Sequence, residues 1–167
     1  MSNTLPPRNF GSVAVAMVTP FKEDGSLDID TAVQLADRLV NEGCDALVLS
    51  GTTGESPTTH QPEKDELTRE VVKAVGERAK IIAGAGSNDT AHAVRIAQGA
   101  QECGAHGLLV LAPYYNRPSQ EGVYQHIHAA LNRRIYLSCF TTFPGAQASK
   151  WNLTPLNVLQ NMSVSWQ

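Results

Sequence analysis

An α/β fold of parallel strands joined by crossover helices is predicted by three features of the sequence. Short apolar runs alternate with helically periodic segments. The alternation repeats four times at a period of roughly 25 to 35 residues, as βαβ units require. The richest polar loops follow the apolar runs, as they do when parallel strands end in a site.

The first apolar run, Val13 to Val18, closes at Thr19-Pro20. Its lack of polar alternation predicts a strand buried on both faces. After the turn Glu23-Asp24-Gly25-Ser26, apolar Ile29, Ala32, Val33, Leu35, Ala36, Leu39 and Val40 recur at helical spacing, with Asp28 or Asp30 available as cap. Ala46 to Ser50 reads as the second strand and about Glu63 to Ala79 as the second helix, with Leu67, Val71, Val72 and Val75 on its apolar face. Ile81 to Gly84 leads through Asn88-Asp89-Thr90 into a helix ending near Cys103. Gly107 to Leu111 leads into a loop and a helix from about Gln120 to Leu131. Two architectures satisfy this order: an open doubly wound sheet, and the first half of an eightfold barrel, whose usual length is about 250 residues. Length by itself favours the open sheet.

Composition narrows the function. The 167 residues are 42% hydrophobic and 17% charged, with a formal net charge of -3. That is one globular domain without a basic face for nucleic acid or anionic lipid. Cys44, Cys103 and Cys139 form no C-x-x-C pair, which fits a reducing compartment, with the cytoplasm as default. Met1 to Asn9 shows no secretory pattern, and no apolar run reaches the ~20 residues of a membrane span. The five histidines show no metal spacing; His126 and His128, two apart on a helix, point to different sides. Gly84-Ala85-Gly86 lacks the third glycine of a dinucleotide fingerprint, so no cofactor is expected.

Chemistry is expected in two loops, Ser50 to His60 and Ala112 to Ser119. In the first, Gly51-Thr52-Thr53-Gly54-Glu55-Ser56 sets two hydroxyls and flexible backbone N–H groups at a strand end, a cradle for a carboxylate or oxyanion. The same residues also make an ordinary glycine turn with capping threonines. In the second, Tyr114 and Tyr115 stand between Pro113 and Pro118, where a phenol can relay protons or simply pack.

Val18-Thr19-Pro20-Phe21, the Gly-Thr-Thr-Gly-Glu-Ser run, Ala83 to Asn88 and Pro113 to Gly122 resemble the dihydrodipicolinate synthase family over roughly residues 10–131. The Gly-Thr-Thr-Gly-Glu signature is shared with the wider pyruvate-utilising lyases, including sugar-acid aldolases. The Pro-Tyr-Tyr-Asn-Arg-Pro segment resembles the synthase itself. The resemblance implies the N-terminal half of a (β/α)8 TIM barrel, truncated, in residues 1–131. It also implies a Schiff-base lyase joining pyruvate to aspartate 4-semialdehyde in lysine and diaminopimelate biosynthesis. Thr53 would bind the pyruvate carboxylate, Thr52 would relay protons, and Tyr115 would reach across a dimer interface into a neighbouring site. That last role implies a homo-oligomer, commonly a dimer of dimers. In lysine-inhibited members a histidine and a glutamate stand where Gln61 and His92 fall here, which predicts weak lysine feedback.

The mechanism that the resemblance implies needs a lysine near the end of a sixth strand, which the 167 residues do not reach. Lys22, Lys64, Lys73, Lys80 and Lys150 fall on loops, helices or the divergent tail. From about residue 132 the resemblance stops. A one-base shift explains this, since the shifted frame from Phe140 permits Tyr-Asp-Ile-Pro-Gly-Arg-Ser-Gly-Ile-Lys-Met-Glu-Pro-Asp-Thr. It would restore a second relay tyrosine and an arginine for the second substrate. Residues 132–167 are therefore expected to be an out-of-frame, poorly ordered tail, and the chain itself inactive. The alternatives are a non-catalytic half-barrel fragment and another pyruvate-dependent aldolase.

Overall fold

A computed structural model describes residues 10–131 and 138–141. Nine elements follow in strict alternation: β1 (Ala14–Ala16), α1 (Ile29–Asn41), β2 (Ala46–Leu49), α2 (Gln61–Val75), β3 (Lys80–Gly84), α3 (Thr90–Glu102), β4 (Gly107–Leu111), α4 (Gln120–Leu131) and β5 (Ser138–Thr141). The four expected βα units all lie within residues 14–131. Of the expected tail, only β5 falls among the described residues.

Pairing is parallel throughout, in the order β1-β2-β3-β4-β5. This order decides between the two architectures. Leu47 sits opposite Ile81, and Leu49 opposite Ala83, which in turn lies opposite Leu108. Side chains in register share a face. Leu47, Leu49 and Ile81 pack on α1 and α2, while Ala83, Leu108 and Val110 pack on α3 and α4. All four helices therefore cover one face, as in a singly wound barrel; a doubly wound sheet would carry helices on both.

The other face explains a departure from expectation. β1 is not buried on both sides: Ala14 and Ala16 are exposed, and flanking Val13 and Val18 are 51% and 52% exposed. Among the described residues no strand pairs with its outer edge and no layer covers the helix-free face. Val48, Leu109 and Leu111 on that face are only half-buried.

Local chemistry sets the helix ends. Asp28 caps α1, accepting from Thr31 N at 3.1 Å, and those Thr31 bonds hold its carboxyl below the usual carboxylate range. Asp89 caps α3, accepting from Ala91 N at 2.9 Å. α2 starts earlier than its periodicity indicates, because Glu63 Oε2 reaches back to His60 N at 2.7 Å and Pro62 suits the first turn. On α4, His126 is buried against Thr90, its Nδ1 2.8 Å from Thr90 Oγ1, and burial pushes its imidazole down. His128 is exposed and stacks on Tyr124, as the two-residue spacing predicts. Cys44 and Cys103 are buried free thiols. No described helix is long and apolar enough to cross a membrane.

Candidate functional site

Backbone strain marks the same two loops that the sequence singles out. Among the described residues, four non-glycine residues have positive φ: Ser50 (51°) and Glu55 (55°) after β2, and Tyr115 (70°) and Arg117 (45°) after β4. Each such residue costs about 1–3 kcal/mol and persists only where its surroundings impose it. Strained backbone of this kind gathers at binding and catalytic loops.

The β2 loop is a string of tight turns. Gly54 N and Ser56 N bond to Gly51 O at 3.1 and 3.2 Å, Glu55 N to Thr52 O at 3.2 Å, and Thr58 N to Glu55 O at 3.1 Å. These N–H groups are thus consumed within the loop, and the expected backbone cradle is smaller than its composition suggests. The N–H groups and hydroxyls of Thr52 and Thr53 make no hydrogen bond among the described residues, and both residues are exposed. The two adjacent threonines are what the loop leaves for a ligand.

The loop is pinned from β1. Thr19 is 5% exposed, and its hydroxyl donates to Gly54 O at 2.7 Å. This gives the Val18-Thr19-Pro20 motif a physical role: it fixes the turn that presents Thr52 and Thr53. Thr19→Val leaves Gly54 O without that donor in a dry setting and is expected to cost about 1–3 kcal/mol. Urea unfolding of the variant checks it; an unchanged midpoint would show the bond to be dispensable.

A cavity of about 660 Å³ opens at the C-terminal ends of β2, β3 and β4. Thr52 and Tyr114 both line it, which brings one residue from each candidate loop together. Thr53 and Tyr115 do not line it. Tyr115 is 94% exposed, although its loop is anchored where Asn116 Nδ2 donates to Asn88 O at 3.2 Å. Two wall residues escape sequence reasoning. Ser50 is 3% exposed, and its Oγ has no partner among the described residues. Lys64, on the first turn of α2, has its ammonium pushed below the usual lysine range by burial. A serine before a glycine turn and a lysine on a polar helix face carry no distinguishing signal. Among the described residues, no group of three or more His, Cys, Asp or Glu side chains could hold a metal.

Known proteins share this architecture and sequence. The dihydrodipicolinate synthetase family profile matches residues 9–136. A 4-hydroxy-tetrahydrodipicolinate synthase of Mycolicibacterium gilvum is 58% identical over 123 residues, covering 74% of this chain and 41% of that protein. The crystal structure of a dihydrodipicolinate synthase of Bacillus anthracis superposes with a TM-score of 0.77 at 42% identity, covering 82% of this chain and 47% of that one. A chloride-inhibited dihydrodipicolinate synthase of Acinetobacter baumannii, complexed with pyruvate, gives 0.74 at 34% identity, covering 81% and 46%. The chain thus spans less than half the length of these relatives. The singly wound parallel sheet, the loops at its C-terminal edge and the match over residues 9–136 together place the chain in the dihydrodipicolinate synthetase family.

Proposed function

We propose that the intact protein of this sequence is a Schiff-base lyase that condenses pyruvate with aspartate 4-semialdehyde, on the route to lysine and diaminopimelate. The observation that carries this reading is the pair Thr52-Thr53, left with free hydroxyls by a strained and pinned turn, of which Thr52 lines the cavity and Thr53 adjoins it in sequence. Thr53 takes the pyruvate carboxylate, and Thr52 passes protons toward the reacting carbon. The family's amine nucleophile condenses with the keto group, and the iminium so formed draws electrons from the neighbouring methyl, giving the carbon nucleophile that attacks the aldehyde.

Tyr115 completes the relay in a neighbouring subunit's site. Its near-complete exposure and positive φ suit a side chain held out toward a partner, which implies a homo-oligomer, with a dimer of dimers as the arrangement. The cytoplasm is its location. The Pro113 to Pro118 loop favours this reading over a sugar-acid aldolase of the same superfamily.

The 167 residues by themselves hold no lysine in the required place, and residues 132–167 are read here as an out-of-frame tail. The family match ends at residue 136, close to the break inferred near Asn132 or Arg133. Pyruvate followed by borohydride tests both points. The 167-residue chain is expected to show no mass increment, and a protein with the frame corrected near Asn132 a single covalent adduct plus turnover of aspartate semialdehyde. An adduct on the uncorrected chain would overturn the inactive-fragment reading; none on the corrected protein would overturn the lyase reading.

A further inference from the structure

Tyr115 is 94% exposed, so no packing around its ring fixes where the phenol stands. The backbone that carries the side chain sets its direction instead. Asn116 N donates to Tyr114 O at 2.9 Å across a Tyr115 φ of 70°, which makes the γ-turn of positive φ, a rare and strained three-residue turn. Arg117 follows at 45°, so Asn116 lies between two residues of positive φ. For bulky residues this region is an outlier, and the chain leaves it unless its surroundings impose it.

The flanking prolines do not supply that hold. Pro118 adds to the strain, since a residue before proline is driven toward extended backbone, away from the φ of Arg117. Among the described residues, one hydrogen bond ties residues 113–118 to another βα unit: Asn116 Nδ2 donates to Asn88 O at 3.2 Å. The acceptor is a main-chain oxygen at the capped start of α3, and its neighbours are fixed on both sides. Asp89 N donates to Ser87 Oγ at 3.1 Å, and Thr90 Oγ1 lies 2.8 Å from Nδ1 of the buried His126 on α4.

We propose that Asn116 is a positioning residue for the condensation, its amide holding the γ-turn that presents the Tyr115 phenol to the neighbouring site, a role that rests on the lyase reading. Asn116 does not line the cavity. Its loss therefore leaves pyruvate binding alone and acts on proton transfer through Tyr115.

Asn116→Leu removes the donor at nearly the same shape, and Asn116→Asp sets an acceptor against Asn88 O. One exposed hydrogen bond is worth a factor of about three to ten in an equilibrium, so each variant of the frame-corrected protein should lose about that much of kcat, with KM for pyruvate kept. A Tyr115→Phe background separates positioning from mere structure. There Asn116→Leu should change kcat by less than about twofold, because the hydroxyl that it positions is gone. Equal losses in both backgrounds overturn the proposal, as do variants that keep the parent's kcat.

Chymotrypsin cleavage of the 167-residue chain reads the turn without any turnover. A protease takes its substrate extended, so releasing the γ-turn should speed the cut after Tyr115 by about threefold or more in both variants. Unchanged cleavage overturns the tether. Faster cleavage in a chain whose frame-corrected form traps no pyruvate upholds the tether and overturns the lyase reading alone.

Discussion

Gly84→Ala is expected to destabilise the fold by about 3 kcal/mol or more, near the upper range for forcing an extra carbon into a packed interior. A Cβ at this position would lie 2.0 Å from the Ser50 carbonyl oxygen, 2.7 Å from its carbon and 3.2 Å from Leu49 O. All three are backbone atoms, so no rotamer change relieves the clash. Ser50 already sits at a φ of 51°, and the adjoining pair Leu49 and Ala83 is held in register by the ladder. The β2 and β3 ends must separate, and the cavity mouth with them. Domain stability is of order 5–15 kcal/mol, so the loss is a large fraction of it. Gly25→Ala provides the contrast: nothing lies within 4 Å of its added Cβ, and its φ of 82° alone costs about 1–2 kcal/mol. Urea unfolding of both variants decides the matter. Equal midpoints would mean that the β2 and β3 ends are not in close contact.

The same contact shows where sequence reasoning reaches and where it stops. Helical periodicity over Ile29 to Val40 and the apolar run Gly107 to Leu111 are local signals, and both elements form as read. The two candidate loops were legible because glycine, threonine and tyrosine cluster after apolar runs, and the strained residues fall within them. Strand and helix spacing does not choose between open sheet and barrel, because the choice depends on which strands are neighbours; the motif resemblance implies the barrel, and the register from Leu49 through Ala83 to Leu108 agrees with it. Burial of β1 was misjudged for a related reason, since an apolar strand at a sheet edge has the same sequence as one in the middle. Ser50 and Lys64 entered the cavity wall through tertiary placement alone. Neither the glycine-rich turn nor the α2 pattern distinguishes them from capping and solvated residues.

In the frame-corrected protein, Thr52→Val is expected to lower kcat by about 10²- to 10⁴-fold, the usual worth of a positioned proton-transfer group. The substitution preserves shape and removes one hydroxyl. That hydroxyl makes no hydrogen bond among the described residues, so its loss should leave unfolding nearly unchanged and separate chemistry from stability. Thr53→Val should act differently. Its hydroxyl is equally free, but its proposed partner is the substrate carboxylate, an interaction made before and during the reaction alike. Uniform binding of that kind raises KM for pyruvate with kcat largely kept. The pair therefore gives opposite signatures from adjacent residues of one loop. Steady-state kinetics with pyruvate and aspartate semialdehyde reads both. If Thr52→Val raises KM instead, or leaves kcat within about twofold, Thr52 binds or packs and the proton path lies elsewhere.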